Sequence, residues 1–504
     1  MQAGGHDSLR EMLYESLRGK PSPVFAFGNG IIPGASVWTG ARMWCKQFRE
    51  MGLTAGDRVL LCVEPSPAFV MVLVACLWEG LSLVVLDPTA DLLFTMRQLD
   101  ARVAVVDAEV LRRFPNSNHA AGVLVPQPAG EPREQCVTLA ANNSFSATPD
   151  IRLWLRSAGT SNTPTWWGVS TDNLLSVLLS HRPHLDIEGQ SVLSVLPWHR
   201  ADGLLRDLLP AIFGECMIVR DPRGGHDIEL LIDLAIHWDS SYCSMDPQLV
   251  RRLAKSDDGK TLLGALFGGV VGGDAGGSGA VSSEMAEILQ NTRLRSGYGH
   301  TESSGGVCLG ETGEWQAGYL GFPVGCEANL GDNGVIHVRG PNLCAAKWSA
   351  SGSQSLDADR TFSTGDLAVR GPKGLIWVGR GDRSITLVGG QVLQTTEIET
   401  ALCVAIGGIS DALVCSMDGQ TISVLLVTSG SHPNSAVNQA CMANTVAAVM
   451  RSFYAVTDPH QTGIVITAGG EIARISNGAI DRTAALTLLV QRRTAATAAA
   501  RTAA

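Results

Sequence analysis

Apolar residues in the first third of the chain alternate between two spacings. From Trp38 to Met51 they return every three or four positions and stop before Gly52, which predicts an amphipathic helix closed by a glycine. Gly56-Asp57 turns into a strand from Arg58 to Val63. Pro67 to Glu79 predicts a buried helix, and Leu81 to Leu86 an apolar strand stopped by Asp87-Pro88. Leu93 to Asp100 reads as helix again and Val103 to Val106 as strand. Strands that are apolar along their whole length and separated by helices predict a parallel sheet covered on both faces. A second set follows: strand Ile151 to Leu155, helix Asn173 to Leu179, strand Ser191 to Leu196, helix Gly203 to Phe213 and strand Cys216 to Val219.

The middle of the chain changes character. Glycines crowd between Gly264 and Gly279, including Gly268-Gly269, Gly272-Gly273 and Gly276-Gly277. Such residues permit positive φ and close backbone approach to a ligand. Between Gly318 and Val378 the strands are short and broken by Gly, Pro and Asn turns, which predicts a small antiparallel sheet or barrel. After Asp382 a mixed pattern resumes, with strand Ser384 to Val388, helix Thr396 to Val404, strand Ala412 to Val414 and a helix from Val437 to Phe453. No internal repeat is visible. The class predicted is α/β.

Composition narrows the options. At about 150 residues per domain, 504 residues predict three or four structural units. Lys and Arg number 38 against 48 Asp and Glu, a net charge of −10, which argues against a nucleic-acid partner. With 45% hydrophobic and 17% charged residues the chain can bury a large core, and wholesale disorder is excluded. The 56 glycines exceed the usual share of about 7% and call for turns or ligand loops. The longest apolar run, Ala68 to Trp78, is far short of the roughly 20 residues a membrane helix needs. Met1 to Lys20 is charged throughout and lacks a signal core. A cytoplasmic protein is therefore expected. Its 12 cysteines, placed singly from Cys45 to Cys441, suit buried thiols better than metal sites or disulfides.

Four segments carry candidate chemistry. Ser157-Ala158-Gly159-Thr160-Ser161-Asn162-Thr163-Pro164 follows a strand and precedes a helix, where hydroxyls and backbone N–H groups can cradle phosphate. Tyr298-Gly299-His300-Thr301-Glu302 offers a ring to stack on a base, a close backbone approach, and groups for phosphate and Mg²⁺. Ser363-Thr364-Gly365-Asp366, followed by Gly379-Arg380-Gly381-Asp382, supplies a carboxylate for ribose hydroxyls and an arginine for phosphate. Ile475 to Arg482 says little by itself. Taken singly, each is as readily a loop or turn as a site. A dinucleotide-binding dehydrogenase is disfavoured, because no Gly-x-Gly-x-x-Gly turn follows the first strand.

In this order the segments resemble the adenylate-forming superfamily of acyl-CoA synthetases, nonribosomal peptide synthetase adenylation domains and firefly luciferase. Gly56-Asp57-Arg58-Val59, Leu196-Pro197-Trp198-His199, Asn333 to Pro341 and Glu397-Ile398-Glu399 extend the resemblance over nearly the whole chain. It implies a large N-terminal domain over 1–381, built from two αβ-layered sheet units and a small β-subdomain. A small, mobile α+β domain would span 382–504, with 493–504 frayed. It also implies that Thr160 and Ser161 hold the ATP phosphates and Glu302 the Mg²⁺. Tyr298 would stack on adenine, with Gly272, Gly273 and Asp274 lining its other side and Gly299, His300 and Thr301 completing the nucleotide site. Asp366 would take the ribose hydroxyls, with Arg380 nearby, and Asp382 would be the hinge. Trp198, His199 and Gly299 would border the acyl pocket.

The chain departs from the family pattern in two places. In the phosphate loop Asn162, Thr165 and Trp166 replace Gly, Lys and Gly, and Trp167 follows. The C-terminal lysine position, which bridges substrate carboxylate and phosphate in the family, is Ala479 inside an otherwise matching segment, either an introduced change or a natural loss. His199 stands near the place where amino-acid-activating relatives carry an Asp for the α-amine, and it is read both as a packed core histidine and as a base toward the acceptor. The substrate expected is a carboxylic acid without an α-amine, aromatic in view of Trp166, Trp167 and Trp198. No carrier domain is expected, so the acceptor would be a free thiol, that of CoA, or a free amine as in stand-alone amide-bond synthetases. A non-catalytic relative that binds nucleotide or acyl ligand is the alternative that Ala479 and the altered loop support. Oligomeric state leaves no trace in the sequence.

Overall fold

The computed structural model describes residues 5–19, 22–28, 30–112, 122–126, 130, 150–157, 165–272, 283–316, 318–331, 334–349, 352–380, 384–386, 392–416, 422–428, 436–453 and 462–468. The fold is mixed α/β, as the alternating pattern predicts.

The first sheet is built on the apolar strands. Gly122–Leu124, Val103–Val106, Arg58–Cys62, Ser82–Val85 and Ile151–Arg156 lie side by side in that order, all parallel. Trp166–Ser170 then adds antiparallel, and the hairpin Ala346–Ser349 and Gly352–Ser355 closes that edge. Helix Pro67–Glu79 covers this sheet and is buried continuously from Ala68 to Leu77, so it needs no polar face. Its start is set by the Ser66 hydroxyl, which accepts from Phe69 N–H, with Pro67 in the first turn; Gly80 ends it in the left-handed region at φ 74°.

A second sheet of Gly30–Pro33, Val24–Phe27, Met217–Arg220 and Ser191–Ser194 packs on the same core. Isolated bridges at Tyr242 and Met245 connect it to strand Val270–Gly272. That strand begins a third sheet of eight strands, which continues through Arg295–Tyr298, Cys308–Leu309, Tyr319–Pro323, Gly374–Arg380, Phe362–Gly371, Val335–Arg339 and Glu327–Leu330. The short strands expected after Gly318 are antiparallel as read. Most of them extend this third sheet, while Ala346–Ser349 and Gly352–Ser355 join the first. Hydrogen bonds to strands distant in sequence decide that split.

The helix expected from Gly203 to Phe213 is interrupted. Ala201–Gly203 and Leu209–Phe213 are α-helical, but Leu204–Leu208 forms a π-turn. Helices Gly5–Arg18, Ile228–His237, Pro247–Leu253 and Asp257–Ala265 were not anticipated from the pattern.

Strands Ile409–Ser416, Ile422–Thr428 and Thr462–Ala468 form a separate sheet with helices Thr395–Ala405 and Ala436–Phe453. Their apolar side chains make a core of their own, from Leu393 to Met450. Nine cysteines have described side chains; all nine are free thiols and seven are buried. Among the described residues no helix is long and apolar enough to cross a membrane.

Candidate active site

Strand Arg295–Tyr298 runs parallel to Val270–Gly272, with Gly297 opposite Gly272, and antiparallel to Cys308–Leu309, with Tyr298 opposite Cys308. The chain leaves the strand through Gly299. A Cβ at that position would lie 2.3 Å from the Gly305 carbonyl oxygen, so only glycine closes this turn. His300 then leads into a single 3₁₀ turn, Thr301–Ser303, and its N–H donates to Ser303 Oγ at 3.0 Å. Glu302 sits on that turn, partly exposed and without an ion-pair partner among the described residues. Its carbonyl accepts from Cys344 N–H at 3.0 Å, which pins the turn in place.

The second half of the cluster comes from a hairpin. Phe362–Gly371 pairs with Gly374–Arg380, and Asp366 faces Arg380 across the ladder. Thr364 Oγ1 accepts from Asp366 N–H and donates to the Ile336 carbonyl, both at 3.0 Å. The Asp366 side chain therefore points to one place. Its Oδ2 accepts from the Tyr298 hydroxyl at 2.7 Å and lies 2.8 Å from His300 Nε2; Oδ1 accepts from Trp377 Nε1 at 3.2 Å. Tyr298 Oη and His300 Nε2 are 2.9 Å apart, so three side chains from two sequence segments form a closed triangle. Burial, and then the Asp366 charge, push the Tyr298 phenol well above its ordinary pKa and keep it a donor. Tyr298 is only 9% exposed and belongs to the apolar cluster around Val307 and Leu320.

The structure thus brings together Tyr298, Gly299, His300, Thr301, Glu302 and Asp366, with Gly272 at the adjoining strand end and the Arg380 backbone opposite Asp366. Thr160, Ser161, Gly273, Asp274, the Gly276–Gly279 cluster, Asp382 and Ala479 lie outside the described residues. Trp377 belongs to the cluster and carried no signal in the sequence.

His199 lies on the loop after strand Ser191–Ser194, its Nε2 3.4 Å from Asp87 Oδ2. Burial lowers the imidazole pKa, against the opposing pull of Asp87, so the ring is neutral at physiological pH. Burial would raise the Asp87 pKa, but hydrogen bonds from the Thr89 hydroxyl (2.7 Å) and N–H (2.8 Å), together with His199, hold it below the ordinary range. Asp87 follows a parallel strand at its carboxyl end, where sites of α/β sheets assemble, and that position was the available signal for it.

The tryptophans that suggested an aromatic acid are core side chains. Trp198 has no exposed surface, stacks with Phe69 and Arg220, and donates to Ser194 Oγ at 3.0 Å. Trp166 is buried and donates to Gln98 Oε1 at 3.2 Å; Trp167 packs edge-on against Phe362. Packing and hydrogen bonds account for Trp166 and Trp198, whereas the Trp167 Nε1 is buried without a hydrogen-bond partner among the described residues.

Beneath Trp198, Ser194 Oγ donates to Asp207 Oδ2 at 2.7 Å. Asp207 is fully buried, and burial raises its pKa to about 7, against the Ser194 hydrogen bond and the Arg220 charge. The folded chain thus binds this proton more tightly than the unfolded chain, where the ordinary value is 3.8. The stabilisation is complete below about pH 4 and is lost as pH rises to about 7, at up to about 1.4 kcal/mol per pH unit. Asp207→Asn should abolish that slope. Between pH 5 and pH 8 the melting temperature of the variant should gain several degrees on that of the parent. A difference independent of pH in thermal melts would refute this.

Comparison with known proteins places the fold. The family model described as AMP-binding enzyme matches residues 35–345. Malpinin synthetase of Mortierella alpina is 23% identical over 385 residues, which are 70% of this chain but 5% of that protein. The long-chain-fatty-acid–CoA ligase FadD15 of Mycobacterium bovis is 23% identical over 480 residues, covering 79% of this chain and 78% of the ligase. The crystal structure of ATP-bound MatB from Rhodopseudomonas palustris shares the fold at a TM-score of 0.73 and 19% identity, covering 96% of this chain and 98% of that one. With more than half of its length matched by the family model, this chain belongs to the AMP-binding enzyme family.

Proposed function

We propose that the protein is an ATP-dependent, AMP-forming ligase acting on a carboxylic acid without an α-amine. A carboxylate oxygen attacks the α-phosphorus of ATP, the bond from that phosphorus to the bridging oxygen breaks, and pyrophosphate leaves. The resulting acyl-AMP passes its acyl group to a free thiol, such as that of CoA, or to an amine. Such in-line chemistry needs alignment and charge neutralisation more than covalent help.

The observation that carries the proposal is the convergence of Tyr298, His300 and Asp366 beside Glu302 at one strand end. A ribose diol offers two O–H donors that can take the place of Tyr298 and His300 at Asp366. Among the described residues no three His, Cys, Asp or Glu side chains converge on one point. A Mg²⁺ site here is therefore one completed by nucleotide phosphates, with Glu302 as the protein ligand, an arrangement that suits this ion. Thr160, Ser161, Gly273, Asp274 and Arg380 take the nucleotide roles the resemblance implies, and the neutral His199 beside Asp87 is the candidate base toward the acceptor. The separate core from Leu393 to Met450 supports a division into 1–381 and 382–504 hinged at Asp382.

The test is pyrophosphate release with ATP, Mg²⁺ and a panel of acids, followed by addition of CoA or amines with mass detection of the product. Ala479 favours a second reading, a non-catalytic nucleotide-binding relative. Calorimetric ATP binding without turnover of any acid, also after Ala479→Lys, would establish that reading instead.

A further inference from the structure

Arg206 stands inside the protein without a counterion among the described residues. Its side chain is 5% exposed, and its Nε and Nη1 have no hydrogen-bond partner among the described residues. No carboxylate among the described residues pairs with it. The acid whose charge acts on it, Asp202, is occupied: Arg200 grips both its oxygens at 3.2 and 3.1 Å, and Gly203 N–H donates at 3.0 Å. A guanidinium cannot shed its charge, so a buried one without a partner is costly unless something completes it.

Arg206 lies in the π-turn Leu204–Leu208, an irregularity that recurs at functional sites. The turn follows Trp198-His199, the segment that resembles the acyl-pocket border. The guanidinium rests on Gly297, where a Cβ would come 2.8 Å from Nη1, and Gly297 immediately precedes Tyr298 of the nucleotide cluster. A second buried side chain is incomplete close by. His181 is 2% exposed, its Nε2 has no hydrogen-bond partner among the described residues, and that atom sits against Gly306. Burial, and then the Arg206 charge, lower the His181 pKa to about 4, so it is neutral at physiological pH. The region therefore presents one net positive charge and one further polar group. That combination matches a carboxylate and mismatches an alkyl or phenyl tail.

We propose that Arg206 is a specificity-determining residue that holds a second carboxylate, so that the acid activated here is a dicarboxylic acid. This rests on the adenylation reading for the reaction performed; the anion subsite itself is tested by binding alone.

Dissociation constants of malonate, succinate, glutarate and adipate should be measured by calorimetry on the full chain, each against the monocarboxylic acid of equal carbon number. The same pairs should be compared by half-saturation of pyrophosphate release in the Ala479→Lys form. At least one diacid is expected to bind tenfold or more tightly than its partner, and Arg206→Met should bring that ratio to about one. The proposal is overturned if no diacid outbinds its partner, or if Arg206→Met weakens both acids of a pair equally. If Arg206→Met does not fold, the parent series alone decides, and Arg206→Lys should keep part of the preference. Should no acid release pyrophosphate while a diacid still binds selectively, the adenylation reading fails and the subsite stands.

Discussion

Ala479→Lys should raise acid-dependent pyrophosphate exchange by about a hundredfold or more, the scale of one restored electrostatic stabiliser. Two anions, the attacking carboxylate and the α-phosphate, must approach each other for adenylation. A cation between them is worth most at the transition state, where their charges are closest. The flanking residues Asn477, Gly478, Ile480, Asp481 and Arg482 resemble the family pattern, and on that resemblance position 479 is proposed as the place of the missing cation. Acyl transfer from a preformed acyl-AMP should be nearly as fast in the parent as in the variant, because that step does not bring the same two anions together. Equal exchange rates in the two forms would dismiss the assignment of position 479.

Asp366→Asn should weaken ATP binding by roughly one to two orders of magnitude, since hydrogen bonds to a charged acceptor contribute about 1.5–3 kcal/mol. Asparagine keeps the volume and an acceptor oxygen for Tyr298 and His300, so the fold should persist. Alanine would leave those donors unpaired and should also destabilise the chain, by about 1–3 kcal/mol for each one left buried. The diagnostic measurement compares ATP with 2′,3′-dideoxy-ATP by calorimetry. The parent should prefer ATP at least tenfold, and Asp366→Asn should erase most of that preference. An unchanged preference would show that Asp366 serves only to lock Tyr298.

Much of the framework was legible in the sequence because it is set by local rules. Helix Pro67–Glu79 was placed to the residue, since Pro67 opens it, Gly80 closes it, and every side chain from Ala68 to Leu77 is apolar. The strands Arg58–Cys62 and Val103–Val106 declared themselves by length and continuous apolar character. The motif from Tyr298 to Glu302 was legible because Gly299 is demanded by the backbone itself. Trp377 and Asp87 were not seen as site residues, for neither belongs to a pattern of its own. Each gains its role from a partner far along the chain, Asp366 in one case and His199 in the other.

The tryptophans show the opposite error. Trp166, Trp167 and Trp198 stood next to motif residues and were assigned to a ligand, yet their rings fill the protein interior. Adjacency in sequence says nothing about direction, and in a strand or loop the next side chain commonly faces the other way.

By itself the sequence determined the α/β class, the parallel strands, the order of the motifs and the family they belong to. Apolar periodicity and obligatory glycines are local quantities. Only the tertiary structure decided that Tyr298, His300 and Asp366 share one set of hydrogen bonds, that Asp207 is deep enough to hold its proton to about pH 7, and that Arg206 is buried with no counterion among the described residues. Those are statements about desolvation and about which groups meet across the fold. Both depend on what surrounds a residue in space, which its neighbours along the chain do not specify.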